Sequence, residues 1–329
     1  MRKRAEARED HSIVSPFAPK YTYIILCKIR PMKFNPLVSS IFRGAWLIKP
    51  EIALNYGAVL ADIFAGDPYS DDREPIGAYA MSPEGMRIDI EDTPAEGQTS
   101  VFDAAPGGST AFVPVKGVMM KEDTLSHYGT GSISRVVMEA GIHKNIGAVV
   151  LEIDSGGGSV DSVGPMIDAI RFAQKRKPVL SWSDLAASAA YWTASATDLV
   201  IAQNDISPEF GSIGVMMSFA DIRPMWEREG VKFHTIYAPE SNYKNLPFEK
   251  ALKGDYDLIR SEELSPLARK FQKEVRSNRR GKVDITQPGI LNGRTFFARD
   301  AVRHGLADEI GNREYAIKRA AELAKKHNQ

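Results

Sequence analysis

The chain has 329 residues, 43% apolar and 26% charged, an ordinary balance for a globular protein of one large or two modest domains. Lysine plus arginine and aspartate plus glutamate both number 42, so net charge offers no argument for a nucleic-acid partner. Cys27 is the single cysteine, which excludes an internal disulfide framework and a cysteine-rich metal site.

Read from the start, the basic Arg2-Lys3-Arg4 is followed by Glu6, Glu9 and Asp10 rather than by an apolar stretch, unlike a secretory signal. The best apolar run nearby, 21–27, falls far short of the roughly 20 residues a membrane-spanning helix needs. The sequence therefore reads as cytoplasmic, with no membrane span. Met32-Lys33-Phe34 resembles a natural start, so residues 1–31 read as a disordered leader or a mispredicted beginning. Residues 32–65 are apolar, with Phe42, Trp46, Leu47, Ile52 and Leu60, and predict a helical segment. Residues 66–109 read as an acidic, Pro/Gly-rich linker or loose hairpin: 66–97 hold nine acids against Arg73 and Arg87, and Pro106-Gly107-Gly108 follows.

From residue 110 to 329 the pattern becomes regular. Strands are predicted at 112–119, 146–153, 178–182, 199–202, 213–219 and 233–237. Helices are predicted at 132–143, 160–175, 189–197, 224–229, 255–280, 299–304 and 314–326. The run Ile146-Gly147-Ala148-Val149-Val150-Leu151 is almost wholly apolar, as in a strand buried on both faces. Strand and helix alternate, which calls for right-handed crossovers and a mainly parallel α/β sheet.

Three sites in this region carry chemistry. Gly156-Gly157-Gly158 follows the apolar strand. Consecutive glycines let backbone amides turn outward toward an oxyanion; the alternative is a plain strand-to-helix turn. A dinucleotide site fits poorly, since the third glycine of that fingerprint would fall on Asp161. Ser188 stands among Ala186, Ala187, Ala189 and Ala190, where a strand ends and a helix begins. Serine there is commonly only an N-cap, but small neighbours would admit a substrate backbone, and the Ala189 amide could be a second oxyanion donor. A serine nucleophile needs a base. His143 and His304 read as helix ends, His327 as tail, and His127 and His234 carry no motif that marks a base. A lysine serves where desolvation keeps its amine neutral. Lys244, between Tyr243 and Leu246-Pro247-Phe248, is expected to be partly buried. Ser207 or Ser212 is a candidate to orient it.

The order of these motifs resembles the signal peptide peptidase A family of serine peptidases, and within it the head-maturation (capsid) proteases of tailed phages. The resemblance rests on Asp154-Ser155-Gly156-Gly157-Gly158, then Ala187-Ser188-Ala189-Ala190-Tyr191 with Ala196-Thr197-Asp198. It continues through Gly211-Ser212-Ile213-Gly214-Val215 and Tyr243-Lys244-Asn245. It closes on Gly293-Arg294 and the run from Ala301 through Gly305-Leu306-Ala307-Asp308 to Ile310-Gly311. It covers about residues 110–320.

The resemblance implies a Clp-protease/crotonase-like superhelical α/β fold and an endopeptidase with Ser188 as nucleophile and Lys244 as general base. Gly157 and Ala189 would supply the oxyanion amides, with Gly156 or Gly158 as substitutes for Gly157, and Gly211 and Ser212 would shape the substrate groove. It implies protein substrates such as scaffold and capsid proteins, a ring-like homo-oligomer, and no metal or cofactor. Gly156 departs from the family's usual proline and Ala189 from its frequent glycine. Three readings compete with a phage maturation protease: a housekeeping protease of the signal-peptide-peptidase type, a non-catalytic capsid assembly protein, and a crotonase-type acyl-CoA enzyme.

Overall fold

The computed structural model describes residues 46–48, 75–123, 127–219, 221 and 223–327. Compactness divides the chain into Met1–Asn35 and Pro36–Gln329, and the described residues all belong to the second unit. Its strands are β1 (Trp46–Ile48), β2 (Tyr79–Met81), β3 (Arg87–Asp89), β4 (Ser109–Lys116), β5 (Ile146–Ser155), β6 (Gly157–Ser159), β7 (Val179–Ala187), β8 (Leu199–Ala202), β9 (Glu209–Gly211), β10 (Thr295–Phe297) and β11 (Glu309–Ile310). Its helices are α1 (Thr130–Ile142), α2 (Val163–Gln174), α3 (Ala189–Ser195), α4 (Arg223–Arg228), α5 (Leu246–Ala251), α6 (Ser265–Asn278), α7 (Ala298–Arg303) and α8 (Arg313–His327).

The main sheet runs β10-β9-β7-β5-β4-β2-β3, with β4, β5, β7 and β9 mutually parallel and antiparallel strands at both ends. This is the mainly parallel α/β class that the alternation predicts. The nine residues of β7 divide one edge between two partners. Leu180–Ser183 pair with β8, and Leu185–Ala187 pair with β9. Both faces of the sheet are covered, which explains the unbroken apolar run. Val149, Leu151 and Ile153 pack with Val137 of α1, Met166 and Ile170 of α2 and Tyr191 of α3. Ala148 and Val150 of the same strand face the opposite way, with Leu180 and Trp182, against Ala316 and Ala320 of α8. Tyr79 stacks on Phe112 at 4.8 Å between centroids, and Arg313 approaches the rings of Tyr79 and Trp182.

Two motif aspartates are structural. The Asp198 carboxylate accepts the Val179 N–H at 2.8 Å, holding the start of β7. Asp308 accepts the Val200 N–H at 2.9 Å and two Arg279 N–H groups at 2.8 Å each, with both side chains buried.

Within 66–109 the described residues carry the hairpin reading rather than the linker: β2 and β3 form a hairpin, and β2 joins the sheet beside β4, burying Ala78, Tyr79 and Ala80. Other expectations are corrected. Most of 32–65 lies outside the described residues, but Trp46–Ile48 is a strand rather than helix. The chain is not a regular strand over 213–219, because the strand ends at Gly211 and Ser212 turns out of the sheet with φ 52°. Nor is it one over 233–237, where the apolar residues find no sheet to join: Phe233 is 50% and Ile236 92% exposed.

Burial alone would raise the Asp308 carboxyl, but its bonds to Arg279 and Lys282 outweigh that and hold it below the usual carboxylate range. A depressed carboxyl contributes stability above its unfolded pKa and loses it as pH falls through its folded one. Asp308→Asn strands a buried guanidinium and is expected to cost about 3–5 kcal/mol near neutral pH in urea unfolding. The gap between wild type and variant should narrow as acid neutralises the wild-type aspartate.

Candidate active site

β5 and β7 lie side by side in parallel register, with Ser155 level with Ala186. The glycine turn and Ser188 therefore leave the same end of neighbouring strands. α3, which begins just after Ser188, packs against both β6 and β7. Ala186, Ala187, Ala189 and Ala190 are fully buried in these contacts.

Ser188 caps the helix by position only: its side chain makes no hydrogen bond to the first turn. Its backbone has φ 56° and ψ −118°. A non-glycine residue in such a sparsely populated region costs of order 1–3 kcal/mol. The strand–turn–helix setting and the strained backbone resemble those of a nucleophile elbow, with Ser188 itself buried. What holds the strain is visible. The Ser188 N–H donates to the Gly211 carbonyl at 2.8 Å, and the Trp192 N–H donates to the Ser188 carbonyl at 2.9 Å. Gly211 itself has φ 122°, and a Cβ there would lie 2.5 Å from the Arg294 carbonyl oxygen. That oxygen accepts the Ser212 N–H at 2.9 Å. Gly211-Ser212 is thus a brace behind Ser188.

The glycine turn is pinned from within. Ser155 Oγ donates to the Gly117 carbonyl at 2.6 Å and accepts the Gly157 N–H at 3.1 Å. Met119 fastens one edge of β6: its N–H donates to the Gly157 carbonyl, and its carbonyl accepts the Ser159 N–H, each at 2.9 Å. Glycine is required at 158, where a Cβ would meet the Met119 carbonyl oxygen at 1.8 Å. Amides alternate along a strand, so Gly158 directs its N–H and carbonyl to the opposite edge. Of the three glycines, Gly157 has its amide engaged by Ser155, and Gly158 turns its amide away from Met119. The roles of Ser155 and Met119 were not read from the sequence; a serine just before three glycines was the available signal for the first.

Lys244 is placed differently. It lies on a turn before α5, its N–H donating to the Ser241 carbonyl at 3.0 Å, and it is exposed. No described residue from Gly214 to Lys250 is buried, so the expected partial burial of Lys244 is not supplied by this chain's own core. The segment also exposes Trp226, Phe233, Ile236 and Tyr243. The Ser207 hydroxyl donates to Asp184 at 2.8 Å. Ser212 is buried beside Gly211. The His143 and His304 rings pair with Asp103 and Asp284, in keeping with structural roles at helix ends. His234 is exposed, and His127 approaches Gly117.

Residues 171–327 match the model of Peptidase family S49, a span that contains Ser188 and Lys244 and begins after the glycine turn. The chain is 26% identical over 226 residues to Protease 4 of Salmonella typhi, covering 68% of this chain and 36% of that protein. It is 28% identical over 193 residues to the head-tail preconnector protein GP5 of Enterobacteria phage P21, covering 57% of this chain and 37% of that one. The chain thus spans little more than a third of either relative. A solved structure of a mutant 1510-N membrane-bound stomatin-specific protease aligns over 65% of this chain and 84% of its own, at 13% identity and a TM-score of 0.42.

If Ser188 is held in strain by the Gly211 brace, Ser188→Gly should remove the steric cost. We expect this variant to unfold at a higher temperature than wild type, by the equivalent of about 1 kcal/mol after glycine's own entropy cost. Calorimetry of the two proteins checks it, and a less stable glycine variant would mean that the backbone there is unstrained.

Proposed function

We propose that this chain, whose residues 171–327 match Peptidase family S49, is a serine endopeptidase with Ser188 as nucleophile and Lys244 as general base. The observation that carries the reading is the Ser188 backbone: a strained serine at a strand–helix junction whose hydroxyl does not cap the helix. A serine kept for capping would relax to the usual extended N-cap conformation.

In the reaction, the Lys244 amine takes the Ser188 proton as the oxygen attacks a peptide carbonyl. The tetrahedral oxyanion is held by the Ala189 amide and by an amide of the glycine turn, for which Gly158 is best oriented. The leaving amine departs with the proton. Water, deprotonated by the same lysine, then releases the acyl-enzyme. No step uses a metal or cofactor.

The placement of Lys244 supports a homo-oligomer. Its arm is exposed and carries apolar residues that a second copy would cover, so the lysine is completed for catalysis across an interface. No helix among the described residues is long and apolar enough to cross a membrane. The phage relative, a head-tail preconnector protein, supports scaffold and capsid proteins as substrates, and the relatives named Protease 4 and SppA support a housekeeping role. The strained, uncapped serine favours an enzyme over an assembly protein, and an acyl-CoA enzyme of crotonase type would have no use for it.

Ser188→Ala and Lys244→Ala should each abolish hydrolysis of an unfolded protein, read by mass spectrometry, while leaving fold and assembly size unchanged. An equimolar mixture of the two inactive variants, dissociated and reassembled, should regain part of the activity, because some interfaces then join an intact serine to an intact lysine. Full activity in either single variant sinks the dyad; no recovery on mixing places both residues in one protomer. His127→Ala should leave the pH–rate profile in place.

A further inference from the structure

β1 occupies the edge of β6 that Met119 leaves open. Trp46 pairs with Ser159, Leu47 with Gly158 and Ile48 with Gly157, antiparallel. Both strands belong to the same compact unit. Met119 already binds Gly157 and Ser159 from the other side, so Leu47 and Gly158 form the pair that exchanges backbone bonds. The Gly158 amide, which faces the reaction site in the reading above, is thereby engaged by the chain's own backbone.

We infer that the free edge of β6 is a slot for an extended apolar peptide, filled in cis by Trp46–Ile48 as a displaceable plug. The inference rests on the proposed peptidase reading for its functional meaning, although the slot itself is a binding claim. Three facts support it. An open strand edge binds extended backbone by strand addition regardless of most side chains. The contact is only three residue pairs long and is separate from the main sheet, so it is weak enough to exchange. Trp46, Leu47 and Ile48 are a run of apolar residues in which the 47 position supplies the N–H that the Gly158 carbonyl requires. A second chain presenting a similar strand must displace β1 before its backbone can reach Gly158.

The test is built on binding, so that it stands apart from catalysis. A fluorescent peptide of residues 43–51, Arg-Gly-Ala-Trp-Leu-Ile-Lys-Pro-Glu, is titrated into the full chain carrying Ser188→Ala, with and without Leu47→Pro. Proline removes the 47 N–H and breaks the strand. Losing one or two net hydrogen bonds from the plug should open the slot, and the peptide should bind the Leu47→Pro protein about tenfold tighter. Equal binding, or no binding to either, overturns the plug. Hydrogen exchange on the unaltered chain guards against a misfolded variant: the Gly158 and Leu47 amides should be protected together and released together when peptide is added. A freely exchanging Gly158 amide also overturns it. With Ser188 intact, Leu47→Pro should lower KM for a short apolar peptide about tenfold and leave kcat unchanged, as expected when a tethered competitor is removed. Tighter binding without hydrolysis in any form would keep the slot and refute the peptidase.

Discussion

The hydrogen bond from the Ser188 amide to the Gly211 carbonyl is the constraint on which the site depends. It joins the end of β7 to the end of β9 at the point where both chains leave the sheet. Ser188, Gly211 and Ser212 all have positive φ, at 56°, 122° and 52°. Three such residues in contact form a crossing that neither segment would adopt alone. The sheet on one side and Arg294 on the other over-determine it, so the strain persists in the folded state. A Cβ on Gly211 would collide with the Arg294 carbonyl oxygen, which ties this small geometry to a residue more than eighty positions downstream.

The remaining motifs act as fasteners around that crossing. Tyr191, three residues past the serine, donates its hydroxyl to the Leu306 carbonyl at 2.9 Å and so ties α3 to the closing Gly305-Leu306 motif. Asp308 of the same motif binds β8 through Val200 and α6 through Arg279, while Trp192 stacks on Phe271 of α6 at 4.5 Å. Asp198 fixes the opposite end of β7. Residues far apart in sequence thus appear together because each closes one side of a single packed block. The block holds α3, and α3 holds the serine.

Much of this was legible because its cause is local. The apolar run at 146–151 announces a strand covered on both faces, whereas the alanines around Ser188, read as room for a substrate backbone, are fully buried where α3 packs on the sheet. What misled was strand-like composition without a partner. Residues 213–219 and 233–237 have the composition of strands, but a strand is stable only beside another, and sequence pattern is silent about whether one is present. The same segment misled on Lys244: apolar neighbours suggest burial only if something covers them, and this chain's core does not. Pairing of β1 with β6 was illegible for the opposite reason. Three backbone contacts at long sequence separation leave no periodic trace, and Trp46–Ile48 sits inside a run with helical character.

The serine and the lysine therefore differ in what stabilises them. Ser188 is fixed by hydrogen bonds within the core of one chain. Lys244 stands on an arm that exposes Trp226, Phe233, Ile236 and Tyr243. If the arm is covered by a second copy, the free energy that completes the dyad is a free energy of association and follows mass action. Activity would then rise with protomer concentration. β1 adds a constraint of another kind, being tethered and so independent of concentration. Crowding many copies together would favour the dyad without strengthening the plug. On the proposed reading, a peptidase built this way would be quiet when dilute and active where its copies are gathered.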